Sequence, residues 1–398
     1  MKKYFAGIVG NILEHYDQAL YGFLVPFLAP LFFPNTDPVY ALIGAYALFP
    51  LGLLSKPLGA LVFGWMGDRI GRTKVLSITL LGMAATAAAM GFLPTYAQVG
   101  WVAPVLLALG RLVQNFFAAG ENTGGALYLM EHAKKSHRGW ISSLFDMSSI
   151  MGIFLASGAA MFWGESWRLL YWAGTITALA GFVVRKKTLK EKPILNQPKM
   201  RELLQEWKPL IAISLVIGYS YGNYYMIVYC FNNFLPMISQ VSSEQAMSMN
   251  TLLLFLDMIT LPLFGWLTLR IAKEKLMLAA LVAGLLLTMP FFMMLDGATV
   301  TTAAVVRIGL MLIGVCFSAP YHAWAMEQCS PRLRFTVCAM GFAIGSRLIG
   351  GAMPSLSLWF HTKTGSAGSA AIPVLIAALL AFWPLFKSRV GVAAERAS

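Results

Sequence analysis

Within long apolar runs the chain carries a small set of ionisable side chains: Glu14, His15 and Asp17, then Lys56, Arg111, Glu121, Asp146, Asp257, Arg307 and Arg347. Charges inside a membrane are costly enough that a functional role is the default reading. Burial disfavours the charged form of a carboxyl group, so a mid-membrane carboxylate can hold a proton at neutral pH and release it when water or a cation approaches. Glu14 stands about 15 Å along the first apolar run at ~1.5 Å per residue, near its middle, and Asp17 follows one turn on. With His15, a group that titrates near neutrality, and Glu121, deeper in the fourth run, they form the candidate proton-coupling set. Guanidinium and ammonium groups recognise carboxylates. Arg111, Arg307, Arg347 and Lys56 are therefore candidate anion contacts, with Asp146 and Asp257 as acidic members of the same site. The plainer alternative is that these cations and carboxylates neutralise one another and hold helices together, and that His15 is a packing residue. Tyr219, Tyr221, Asn223, Tyr224, Tyr225 and Tyr229, then Asn232 and Asn233, crowd one further run. Tyr221 and Tyr225, one turn apart, are expected to line a polar cavity as uncharged hydrogen-bonding groups, while Tyr229 also suits an interfacial aromatic belt.

The elements that must hold these residues are membrane helices. Of 398 residues, 58% are hydrophobic and only 12% charged, too apolar for a fold whose surface stays in water. Runs long enough to span, about 20 residues each, fall at 4–30, 39–66, 75–93, 102–130, 139–163 and 168–185. Six more fall at 208–234, 245–268, 276–295, 300–326, 334–358 and 369–386. The first follows Lys2 and Lys3 with no small-residue cleavage site, so it is expected to remain as a helix. The net charge of +13 raises nucleic acid as a partner, but position argues for the bilayer. Of the 30 basic residues, 24 lie at the termini, in alternate loops and between 185 and 208. By the positive-inside rule both termini and the central loop are cytoplasmic. The four cysteines, Cys230, Cys316, Cys329 and Cys338, have no paired spacing, and neither a disulfide nor a metal site is expected. No pattern for binding ATP or for hydrolysis occurs, so no cofactor and no enzymatic role are expected.

The charged island Gly64 to Lys74 has an echo at Gly265 to Lys275, with Trp65, Arg69 and Lys74 recurring as Trp266, Arg270 and Lys275 and with Leu269 in place of Asp68. A second echo, offset by 196, relates Arg111 to Arg307, Glu131 to Glu327 and Arg138 to Arg334. Parallel repeats in an apolar chain suit a secondary transporter. The expected organisation is a six-helix half at 1–185, a cytoplasmic linker at 186–207 and a second half at 208–398. Asp68, Arg69, Arg72, Glu131, Arg138, Glu327 and Arg334 are candidate gating residues, latching the cytoplasmic side through a helix-end cap and ion pairs. Glu131 with Arg138 and Glu327 with Arg334 read as the repeated parts, and Leu269 predicts a weaker second latch. The plainer reading is that these arginines only set topology.

On these motifs the chain resembles the major facilitator superfamily, and within it the metabolite:proton symporters. Gly10-Asn11-Ile12-Leu13-Glu14-His15-Tyr16-Asp17 is similar to the first-helix signature of that family, Gly-Asn-x-x-Glu-Trp-Tyr/Phe-Asp. Lys56-Pro57-Leu58-Gly59 stands where Arg-Pro-x-Gly is usual. Arg111-Leu-Val-Gln114 with Gly120-Glu121 and Gly124-Gly125 resembles the fourth-helix motif, and Arg138-Gly139 the loop motif. Ser143 to Gly152 is most similar to the proline/betaine symporters; ketoglutarate, citrate and shikimate symporters share the wider pattern. His15 in place of Trp, Asn115 in place of Gly, Phe342-Ala343 in place of a Tyr/Phe-Asn pair, and the extra Arg307 and Arg347 depart from it. The resemblance implies an all-α membrane protein of twelve transmembrane helices in a bacterial inner membrane, working as a monomer with protons and a small-molecule substrate. The cations point to import of a small organic anion, a carboxylate metabolite or a carboxylate siderophore. A zwitterionic osmolyte, export, and a sensor that has lost transport are the alternatives.

Overall fold

The computed structural model describes residues 2–34, 48, 51–188 and 200–397, and they are overwhelmingly helical. In chain order the long helices are α1 (Lys2–Phe32), α2 (Leu51–Ile70), α3 (Arg72–Gly91), α4 (Val102–His132), α5 (Arg138–Trp163) and α6 (Trp167–Thr188). There follow α7, which runs Trp207–Tyr225, passes through a π turn at Met226–Cys230 and resumes as Phe231–Ile238, then α8 (Ser243–Leu267) and α9 (Lys273–Met293). α10 runs Val300–Ser318 and, past Pro320, Tyr321–Gln328; α11 runs Arg334–Ile344, a π turn Gly345–Gly350 and Gly351–Thr364; α12 is Ile372–Ala397. This is the twelve-helix architecture expected of the apolar runs. The first part of the run at 39–66 and residues 189–199 of the 186–207 segment lie outside the described residues. The end of that segment is not extended: Met200–Leu203 is a helical turn leading into α7.

Local chemistry sets the ends. Between α2 and α3 the chain turns at Gly71, whose φ of 103° is a conformation that a Cβ disfavours. α8 begins on a capping box in which the Ser242 hydroxyl accepts from Gln245 N at 3.2 Å while the Gln245 side chain accepts from Ser242 N at 3.0 Å. α11 ends on Gly365 in the left-handed region. The two π turns are a departure from the expected uninterrupted helices. Each inserts a wider turn into the i→i−4 ladder, a change that leaves no mark on hydrophobic periodicity.

The described chain divides into two compact units. The first comprises residues 1–132, 148–199 and 331–340, so it contains α1–α4, α6, most of α5 and the beginning of α11. Its core packs Leu20, Tyr21, Leu24 and Leu28 of α1 against Leu107, Ala156 and Tyr171. The second comprises 133–147, 200–330 and 341–398, with α7–α10, α12, the beginning of α5 and the remainder of α11. α5 and α11 occupy equivalent places in the repeat, and each changes unit part-way along its length.

Candidate functional site

In the first unit the polar residues of α1 form one network. Glu14 is fully buried and Asp17 nearly so. The carboxylate of Glu14 accepts from the Gln18 amide through Oε1, while Oε2 lies 2.8 Å from His15 Nδ1 and 3.5 Å from Asn122 Nδ2. His15 Nδ1 is also 3.0 Å from the Asn11 carbonyl, an atom that only accepts, so Nδ1 carries a hydrogen and Nε2 faces Asn122 at 3.4 Å. Lys56 does not meet Glu14 directly; its ammonium donates to the Gln18 oxygen. Asp17 repeats the arrangement. Its Oδ2 accepts from Gln114 Nε2 at 2.5 Å, and Arg111 donates through Nη1 to the oxygen of the same amide. The guanidinium of Arg111 lies over the Tyr21 ring, 4.2 Å from its centroid. Asp17 Oδ1 is buried with no hydrogen-bond partner. Glu121 lies elsewhere on α4 and accepts from Thr79 Oγ1 at 3.3 Å. Gln18 and Asn122 were not singled out from the sequence, and Gln114 entered only as a letter of the fourth-helix motif. An uncharged amide in an apolar run carries no signal until the two groups that it joins are known.

The second unit holds a different cluster. Asp146, on the first turns of α5, accepts from Tyr321 OH at 2.9 Å and lies 3.8 Å from His322 Nε2. His322, also missed by the sequence reading, stacks parallel on Phe342 at 4.7 Å. Tyr221 and Tyr225 are 5.7 Å apart, and Tyr225 is 5.6 Å from Tyr229, so the tyrosines of α7 form one contiguous aromatic group. Tyr221 lies within electrostatic reach of both Asp146 and Arg347, and Asp257 within reach of Asp146. Arg347 sits on the π turn of α11 and is half-buried. It has no carboxylate within ion-pairing distance among the described residues, and its Nε is buried without a partner.

Arg307 stands apart from that group. It is fully buried; Nη1 donates to the Ala246 carbonyl at 2.9 Å, and Nη2 to the Ile227 carbonyl at 2.8 Å and to Asn250 and Asn232 at 3.0 and 3.2 Å, while Nε is buried without a partner. Ile227 belongs to the π turn of α7. The guanidinium thus ties an irregular turn to α8 and serves the scaffold.

The gating residues gather in two sets. In the first unit Asp68 takes the backbone N–H groups of Phe335 and Thr336 at 3.1 and 2.8 Å and the Thr336 hydroxyl at 2.7 Å. A carboxylate there satisfies N–H groups that the first turn of α11 leaves open and complements its dipole. Arg72 bridges Asp68 at 3.5 Å and Glu131 at 3.0 Å, and Glu131 also receives Arg334 at 3.4 Å. In the second unit Glu327 lies 2.7 Å from Lys273 and 3.5 Å from Arg138. Glu131 of one repeat thus pairs with Arg334 of the other, and Glu327 with Arg138. Arg69 is exposed and lies over Trp65, 5.4 Å from the ring centroid, as its echo Arg270 does over Trp266 at 4.5 Å. The expected bridge from Arg69 to an acid is therefore replaced by a cation–π contact.

Twelve membrane helices, buried carboxylates and a repeated set of ion pairs define a multi-pass secondary transporter rather than an enzyme. The chain belongs to the Major Facilitator Superfamily, whose family model matches residues 8–354. It is 28% identical over 389 residues to the proline/betaine transporter of Salmonella typhimurium, covering 89% of this chain and 76% of that one. It is 27% identical over 394 residues to the citrate-proton symporter of Salmonella typhi, covering 93% and 89%. The fold matches that of the proton:xylose symporter XylE with a TM-score of 0.75 at 15% identity, covering 97% of this chain and 95% of that one.

Proposed function

We propose that the protein is a proton-coupled symporter that imports a small carboxylate-bearing organic solute across a bacterial inner membrane by alternating access. The observation that carries the carboxylate is Arg347, a half-buried cation beside the tyrosines of α7 with no acidic partner among the described residues. A guanidinium in that setting offers paired donors to a carboxylate. The relatives that the chain resembles include a citrate-proton symporter and a proline/betaine transporter, whose named solutes share a carboxylate and differ in net charge. Arg111, in the first unit, is a separate candidate contact for an anionic solute. The coupling proton rides on the α1 carboxylates. Asp17 takes the leading place because Oδ1 has no partner, whereas both oxygens of Glu14 are engaged. Asp68, Arg72, Glu131 and Arg334, with Arg138 and Glu327, act as the cytoplasmic gate.

A second reading, a zwitterionic solute, is favoured by one observation. Charges of opposite sign, Asp146 and Arg347, both act electrostatically on Tyr221, and tyrosine faces attract an ammonium group. The test is a thermal-shift titration of the purified protein with citrate, glycine betaine and proline, since binding to the folded state raises apparent stability. A shift with citrate that is lost in Arg347→Ala supports the anion reading. A shift with betaine or proline alone replaces it with the zwitterion. No shift with any carboxylate-bearing solute contradicts both.

A further inference from the structure

Two cation–carboxylate pairs in the first unit are each separated by one glutamine. Lys56 donates to Gln18, which donates to Glu14, and Arg111 donates to Gln114, which donates to Asp17. Chemistry fixes the orientation of both amides. A guanidinium or an ammonium has no acceptor and an ionised carboxylate has no donor. The amide oxygen must therefore face the cation, and the amide N–H must face the carboxylate. As long as the cation holds the oxygen, the amide presents only a donor to the carboxylate and favours its ionised form.

We propose that Gln114 is a positioning residue that transmits the state of Arg111 to Asp17, with Gln18 in the same position between Lys56 and Glu14. When a solute carboxylate takes over the donors of Arg111, nothing holds the Gln114 oxygen in place. The amide can then rotate by 180° about its last bond and turn that oxygen toward Asp17. A proton arriving at Asp17 Oδ1, the oxygen without a partner, converts the group to a carboxylic acid, and rotation of that carboxyl about its own last bond brings the new O–H to face the rotated amide oxygen. Anion capture at Arg111 and proton capture at Asp17 then favour each other, which is the linkage that symport needs. Proton and solute are each bound and released unchanged. Gln114 Nε2 also reaches the Asp17 carbonyl at 3.4 Å, so the amide is seated against α1. Among the described residues, the other groups facing Asp17 are Arg111 from α4, Glu14 and Tyr16 from α1 itself, and Tyr171 from α6. None of these joins Arg111 to Asp17 by hydrogen bonds as Gln114 does. The link to solute rests on the proposed role of Arg111, but the relay itself does not.

A ligand-free double-mutant cycle on the purified full-length protein separates the two. The carboxyl C=O band of Asp17, assigned by its loss in Asp17→Asn, is followed by infrared difference spectroscopy as pH is varied. The relay predicts that Gln114→Leu moves the midpoint in the same direction as Arg111→Met, by about tenfold or more in proton affinity. The double variant should move clearly less than the sum of the two single changes. If Gln114→Leu fails to fold, Gln114→Asn, whose amide is one carbon too short to span both partners, gives the same readout. An unmoved midpoint in the glutamine variant overturns the relay. So does an Arg111→Met effect of full size in the Gln114→Leu background, or an Asp17 band that never titrates. Citrate supplies the second arm. Dye-reported proton uptake on citrate binding in the parent, absent in a Gln114→Leu protein that still binds citrate, supports the linkage to solute. Citrate binding that ignores Arg111→Met contradicts the role of Arg111 in holding solute, while the relay through Gln114 still stands or falls with the ligand-free cycle.

Discussion

Arg111 and Arg307 are equivalent in the sequence repeat, yet their surroundings give them different work. The Nη donors of Arg307 go to two backbone carbonyls and two asparagines, and each such bond to a charged donor is worth about 1.5–3 kcal/mol. Arg307→Ala should therefore cost folded yield and lower the melting temperature, measured by size-exclusion chromatography and thermal melting in detergent. Arg347→Ala removes a cation that anchors nothing nearby among the described residues, so the protein should fold normally. Loss of one charge-assisted contact of about 1.5–3 kcal/mol should weaken solute binding about ten- to more than a hundredfold. Equal folding defects in the two variants would contradict this division between scaffold and site. Asp17→Asn mimics the protonated carboxyl group and should abolish uphill accumulation while leaving solute exchange; pH-dependent accumulation at the parental level would remove Asp17 from the coupling step.

At the scale of elements, the Asp68 carboxylate caps α11 through two backbone N–H groups and a hydroxyl. Asp68→Asn exchanges one acceptor oxygen for a donor that meets those N–H groups head-on. Local opening at Phe335 and Thr336 should become easier by about 1.5–3 kcal/mol, seen as roughly ten- to more than a hundredfold faster amide hydrogen exchange there. Unchanged exchange would mean that the first turn of α11 is held by something else. Leu269 stands at the equivalent place in the repeat and has no carboxylate to offer, so the start of α5 should exchange faster than the start of α11. The twelve helices and the charges that cluster at their cytoplasmic ends were legible in the sequence, because apolar length and intramembrane charge are strong one-dimensional signals. Partner choice was not. That Glu131 meets Arg334 depends on which helix end lies beside it, and spacing along the chain is silent on that. The π turns carrying Ile227 and Arg347 were hidden for a related reason: one wide turn shifts helix phase without altering composition. Gln18 and Gln114 gain meaning only from the charges on either side of them.

At the scale of the whole molecule, each compact unit carries a glutamate held by two cations, Glu131 by Arg72 and Arg334 in the first, Glu327 by Lys273 and Arg138 in the second. The interior chemistry is not duplicated. Carboxylates with cations held at one remove occupy the first unit, and Arg347 with an aromatic group and Asp146 occupies the second. The most direct measurement is uptake of radiolabelled citrate, glycine betaine and proline into proteoliposomes under an imposed proton gradient, acid outside, with a protonophore as control. Accumulation above the external concentration of one of these carboxylate-bearing solutes is predicted, abolished by the protonophore and by Asp17→Asn, with exchange retained in the variant. Uptake that only equilibrates, or accumulation that persists undiminished in Asp17→Asn, would contradict proton-coupled symport.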